Sequence, residues 1–198
     1  MTLIRKWPTS KLPFFTYCGI MLAVVFENLA SAQSNTPVKM PSGPNLPGRF
    51  GAYYTTLEFE KSWDDLWRTG EHADVVVRFD TGGQKFVFWR GTSYIPCWVT
   101  DNGVWYTNAF VERSGKDSPN TQGCCEPMSD KQCRYSHVRI IENTDARAVI
   151  HWRYAPVDVH YNHPFIDPET GWSDWVDEYY YLYPDATGTR KITVYSSK

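Results

Sequence analysis

Along residues 49–198, short runs in which apolar and polar side chains alternate are separated by turn-forming residues. Such alternation marks strands that bury one face. The runs predict strands at 52–59, 74–79, 84–89, 94–100, 104–111, 135–141, 147–154, 177–183 and 190–195. Thr81-Gly82-Gly83, Asp101-Asn102-Gly103, Asn143-Thr144-Asp145 and Asp185-Ala186-Thr187-Gly188 supply hairpin-loop residues between them. A helix fits only around 62–68, where Ser62 is placed to cap it. Short strands without helical crossovers predict an all-β, antiparallel β-sandwich over 49–198. The last strand runs almost to Lys198, so the expectation extends to an incomplete part of a larger sandwich.

The first 48 residues break the pattern. Arg5, Lys6 and Lys11 precede an apolar run from Leu12 to Phe26, and Ala30-Ser31-Ala32 supplies small residues before Gln33. That three-part order predicts a secretory signal peptide at 1–32 and a secreted or periplasmic protein. The alternative, an uncleaved membrane anchor, is disfavoured by a run that is short for a bilayer and holds Pro13 and Tyr17. Residues 33–48, QSNTPVKMPSGPNLPG, read as a Pro-rich arm or linker.

Composition narrows the function classes. The 198 residues carry 20 basic and 22 acidic side chains, and 16% are aromatic, with nine Trp and thirteen Tyr. Signal cleavage removes three bases and Glu27, leaving a net charge of −4. A globally basic nucleic-acid clamp is excluded, so any grip on a polyanion is local. No Walker loop, dinucleotide fingerprint, nucleophile elbow or HExxH sequence is present. Beyond the leader stand Cys97, Cys124, Cys125 and Cys133, an even set that predicts disulfides in an exported chain. Adjacent Cys124 and Cys125 are poor mutual partners, so Cys97 is expected to pair with one and Cys133 with the other, in either connectivity. A zinc site on Cys124, Cys125 and Cys133 is the alternative, but it matches no familiar ligand spacing.

The richest polar segment is 134–154. Alternation puts Tyr135, His137 and Arg139 on one face of a strand and Val138 and Ile140 on the other. On the return strand Arg147, Val149, His151 and Arg153 face away from Ala148, Ile150, Trp152 and Tyr154. Burying the aliphatic set through a three-residue loop at 143–145 pairs Val138 with Ile150, Ile140 with Ala148, His137 with His151 and Tyr135 with Arg153. Imidazoles, a phenol and guanidinium groups then gather on one solvent-facing ribbon. Arginine forks bind carboxylate or sulfate, and imidazole or phenol can move a proton. The competing expectation is an ordinary solvated sheet face.

Two further segments carry candidate chemistry. In 86–106, Arg90, Tyr94 and Trp98 are the expected exposed sugar contacts, although other aromatics there suit a sandwich core. In 158–178, His160 and His163 lie near Asp158, Asp167, Glu169, Asp174, Asp177 and Glu178. Calcium is not excluded there, but the spacing is nonspecific; no cofactor or metal is expected.

The segments FVFWRGTSYIPCWVTDNGVWYTN, GCCEPMSDKQCRYSHVRIIENTDARAVIHWRYA and DPETGWSDWVDEYYYLYPD resemble the N-terminal part of secreted proteins that degrade marine polysaccharides, the ulvan lyases of polysaccharide lyase family 40. The resemblance implies β-elimination on an anionic, sulfated uronic-acid polysaccharide. That chemistry needs a cation on the uronate carboxylate, a base for the adjacent proton and an acid for the departing oxygen. On this sequence the first choices are His137 as base and Arg153 as carboxylate clamp, with Arg139, His151 and Tyr135 as further candidates and core-facing Tyr154 as a weaker one. The alternatives are a noncatalytic carbohydrate-binding sandwich and a structural scaffold.

Overall fold

The computed structural model describes residues 49–58, 69 and 72–197. The leader, the arm and the helix expected at 62–68 lie outside the described residues. Nine strands follow the sequence pattern: β1 (Gly51–Thr55), β2 (Asp74–Arg78), β3 (Lys85–Phe88), β4 (Pro96–Val99), β5 (Trp105–Thr107), β8 (His137–Asn143), β9 (Ala148–Tyr154), β10 (Trp175–Leu182) and β11 (Gly188–Tyr195). Two short additions, β6 (Arg113–Ser114) and β7 (Cys124–Cys125), pair with each other. Strands β1 to β5 form an antiparallel five-stranded sheet in chain order, and β11-β10-β9-β8 form a four-stranded one. The fold is all-β and sandwich-like, with no closed barrel. Among the described residues no helix is long and apolar enough to cross a membrane.

Both sheets contribute to one interior. Val75, Val77, Phe86 and Phe88 of the first share a buried cluster with Ile150, Trp152, Val176 and Tyr180 of the second. Tyr180 lies 5.4 Å, centroid to centroid, from both Phe86 and Phe88, so aromatic contacts cross between sheets. The opposite face of the first sheet is also covered, with Val76, Val87 and Val99 packed beside Leu57. This explains the unbroken apolar run at 75–77, since a strand buried on both faces shows no alternation.

The pairing of β8 with β9 is displaced by two residues from the expected register. Val138 faces Trp152, Ile140 faces Ile150, His137 faces Arg153 and Arg139 faces His151, with a bulge between Ile140 and Glu142. Strand β8 continues to Asn143 because that side chain docks on β1, accepting from Ala52 N at 2.9 Å and donating to Ala52 O at 2.8 Å. The turn therefore moves to 144–147, where Thr144 N donates to Arg147 O. A displacement of two preserves which residues share a face, so the polar and apolar sets stay as expected.

Among the described residues the expected pairings of Cys97, Cys124, Cys125 and Cys133 are not formed. All four cysteines of the described residues are free thiols, three of them buried. Cys97 donates to Ile95 O at 3.4 Å and Cys133 to Arg90 O at 3.3 Å, so each serves as a small core residue with its own acceptor.

Candidate functional site

The outward face of the four-stranded sheet carries the polar chemistry. Rows of paired residues run across it: His137, Arg153, Asp177 and Thr193 in one, and Arg139, His151, Tyr179 and Lys191 in the next. Tyr135 lies just before β8 and contacts the rings of His163 (4.5 Å) and Trp175 (6.4 Å). The structure thus brings His137, Arg139, His151, Arg153 and Tyr135 to one surface, but gives them different surroundings.

His151 is not open to solvent as expected; it is only 5% exposed. Tyr179 stacks on it at 4.5 Å, Arg139 Nε donates to its Nδ1 at 3.1 Å, and its Nε2 lies 2.7 Å from Asp177 Oδ1. An arginine can only donate, so Nδ1 is the acceptor and Nε2 carries the hydrogen given to Asp177. Both ring nitrogens are occupied, and the side chain acts as a spacer between Arg139 and Asp177.

Arg153 is also engaged. Its Nη1 donates to Asp177 Oδ1 and Oδ2 at 3.3 and 3.1 Å, and its guanidinium lies 4.9 Å over the Trp175 ring. Arg139 is exposed, and beyond His151 its guanidinium has no acceptor among the described residues. Of the two cations, Arg139 is the one lacking a protein counter-charge. His137, two residues away on the same strand, is exposed. Desolvation lowers its pKa from the ordinary histidine value, with Arg153 and His72 pushing the same way and Asp130 opposing.

Of the expected sugar contacts in 86–106, Arg90 and Tyr94 are corrected, whereas Trp98 is half-buried. Arg90 is 1% exposed, and its guanidinium pairs with buried Asp74, which also accepts from Arg90 N at 2.6 Å and Leu57 N at 2.7 Å. Tyr94 is buried and donates to Ala73 O, while Trp98 packs on Phe79 and Phe86. Burial of Arg90 depends on Asp74, sixteen residues away on β2, which local alternation does not reveal. Tyr154 is buried as its alternation implied, donating to Glu178 Oε1 at 2.9 Å and accepting from Val111 N at 2.7 Å.

The acids of 158–178 disperse rather than forming one cation site. Asp158 accepts from Gln122, His160 and Asn162 N, Asp174 pairs with Arg113, and Glu178 pairs with Arg190. Among the described residues, ligating atoms gather only at Glu112, Cys124 and Glu126, within 4.8 Å of one another. Desolvation and the Glu112 and Glu126 carboxylates push the Cys124 thiol up to about 11, so it is held as a thiol there.

A feature that the sequence reading passed over adjoins this face. Arg153 reaches a cleft of about 360 Å³ walled by Trp172, Trp175 and Tyr195, with Asp167 and Thr170 in its lining. Trp172 is 63% exposed, unusual for so large an apolar ring. The tryptophan pair in GWSDW was the available signal. No protein-family model matches the chain, and neither curated proteins nor solved structures give a match.

Proposed function

We propose that the chain is a secreted polysaccharide lyase, or the substrate-holding front of one, that cleaves a sulfated uronic-acid polysaccharide such as ulvan by β-elimination. The observation that carries this reading is the adjacency of exposed His137 and Arg139 on β8, with the arginine free of any carboxylate among the described residues. Arg139 takes the role first expected of Arg153. Its fork neutralises the uronate carboxylate, which stabilises the charge that builds as the neighbouring carbon loses its proton. His137, kept neutral by partial desolvation, accepts that proton. Expulsion of the glycosidic oxygen forms the carbon–carbon double bond, and the Tyr135 phenol is a group on this face that can return a proton to it.

With full-length protein and ulvan, absorbance from the unsaturated product is expected to grow with time. His137→Ala should lower that rate by about 10²–10⁴-fold, the usual contribution of a positioned acid or base. No absorbance change from the wild-type protein rejects the lyase. A noncatalytic binding sandwich is the second reading, favoured by the engagement of His151 and Arg153 with protein partners. Retained ulvan binding with no turnover selects it.

A further inference from the structure

The cleft beside the cationic row differs from it in charge. Among the described residues its one cation is Arg153, which is held by Asp177 and lies over the rings of Trp175 and Tyr195 at 4.9 and 6.0 Å. Asp167 has no cationic partner among the described residues, and its Oδ1 accepts from Glu169 N at 2.8 Å and Thr170 N at 3.3 Å. Those N–H groups hold its carboxyl below the usual range, so it is charged at neutral pH. Among the described residues the cleft thus presents one uncompensated negative charge and two exposed aromatic rings, Trp172 and Tyr195. A carboxylate or sulfate entering it would meet Asp167 and a neutralised arginine.

We infer that this cleft is a neutral-sugar subsite, in which an uncharged pyranose ring stacks on Trp172 or Tyr195 and donates hydroxyl hydrogens to Asp167. The negative face of an aromatic ring attracts the slightly positive C–H groups of a sugar ring, and a carboxylate is a strong acceptor for its hydroxyls. A volume of about 360 Å³ lies within the range of small-ligand clefts, roughly 300–1,000 Å³. The inference rests on the glycan reading above and deepens it: the polymer offers an uncharged residue to the cleft while an anionic one meets Arg139.

The test is a calorimetric and tryptophan-fluorescence titration of the full chain with the methyl glycosides of glucose, galactose, xylose and rhamnose, and with sodium glucuronate. At least one neutral glycoside is expected to bind saturably, with an affinity unchanged by added sodium chloride. Trp172→Ala, at an exposed position, should abolish binding, and Asp167→Asn should weaken it about tenfold, the usual worth of a charge-assisted hydrogen bond. Tighter binding of glucuronate at low salt overturns the inference, as does the absence of saturable binding by every neutral glycoside. The outcomes separate it from the lyase proposal. Ulvan cleavage without neutral-sugar binding removes the subsite alone, whereas neutral-sugar binding without cleavage removes the lyase alone.

Discussion

Arg139 and Arg153 carry the same charge on adjacent strands, and they differ in what their guanidinium groups already touch. Asp177 binds Arg153 directly and reaches Arg139 only through the His151 ring. Replacing Arg139 with Ala should therefore weaken ulvan binding more than replacing Arg153. For His137 the pKa shift has a definite sign. Its folded value lies below the ordinary 6.5, so the neutral base form persists to lower pH than for a free histidine. The rising limb of turnover against pH should have its midpoint below 6.5 and vanish in His137→Ala. Asp158 shows the opposite chemistry. Burial raises its pKa, but the N–H groups of Asn162, Gln122 and His160 outweigh that and leave it below 3.8. The unfolded chain then binds the proton more readily, so this carboxylate stabilises the fold above about pH 4 and ceases to do so as pH falls through its folded value. Asp158→Asn sets an amide N–H against Gln122 N–H and should cost about 1–3 kcal/mol at pH 7. Urea unfolding at pH 7 and pH 3 should show that cost shrinking at the lower pH.

At the scale of the element, the β8–β9 hairpin shows what alternation can and cannot specify. Alternation placed Val138, Ile140, Ile150 and Trp152 inward and His137, Arg139 and Arg153 outward, and the structure agrees because side-chain facing is a property of the strand itself. The register depended on a contact ninety-one residues away, between Asn143 and Ala52, which a local pattern does not encode. The burial of His151 had the same origin, since Asp177 and Tyr179 come from a strand whose pairing was not yet known. Asn143→Ala removes both bonds to Ala52 and should cost about 1 kcal/mol, near the net worth of one or two partly exposed hydrogen bonds. Because β8 lies at the edge of its sheet, the loss should appear locally. Amide exchange over 138–143 should accelerate about fivefold, the factor corresponding to 1 kcal/mol, while exchange in β10 stays unchanged.

At the scale of the molecule, the two sheets meet through aromatic rings, and a buried carboxylate stands among them. Glu178 is fully buried on β10 and receives the Tyr154 hydroxyl, the Tyr180 hydroxyl at 2.6 Å and Arg190, whose Nη1 also donates to Ala109 O. The network ties β9, β10 and β11 to the segment after β5. Sequence reading put Glu178 on the predicted strand 177–183 but counted it among the candidate cation ligands, since only the pairing of β10 with its neighbours reveals its buried partners. Removing the Tyr154 hydroxyl leaves Val111 N–H without its acceptor and Glu178 without one donor, so Tyr154→Phe should cost about 2 kcal/mol. Tyr180→Phe removes one donor and orphans no backbone group, so it should cost about 1 kcal/mol. Both hydroxyls bind the same carboxylate, and the two changes are expected to couple by at least 0.5 kcal/mol, the low end for groups in one network. Urea unfolding of the wild type, both single variants and the double variant measures that coupling. Strict additivity would mean that Arg190 alone satisfies Glu178 and that the tyrosines act independently.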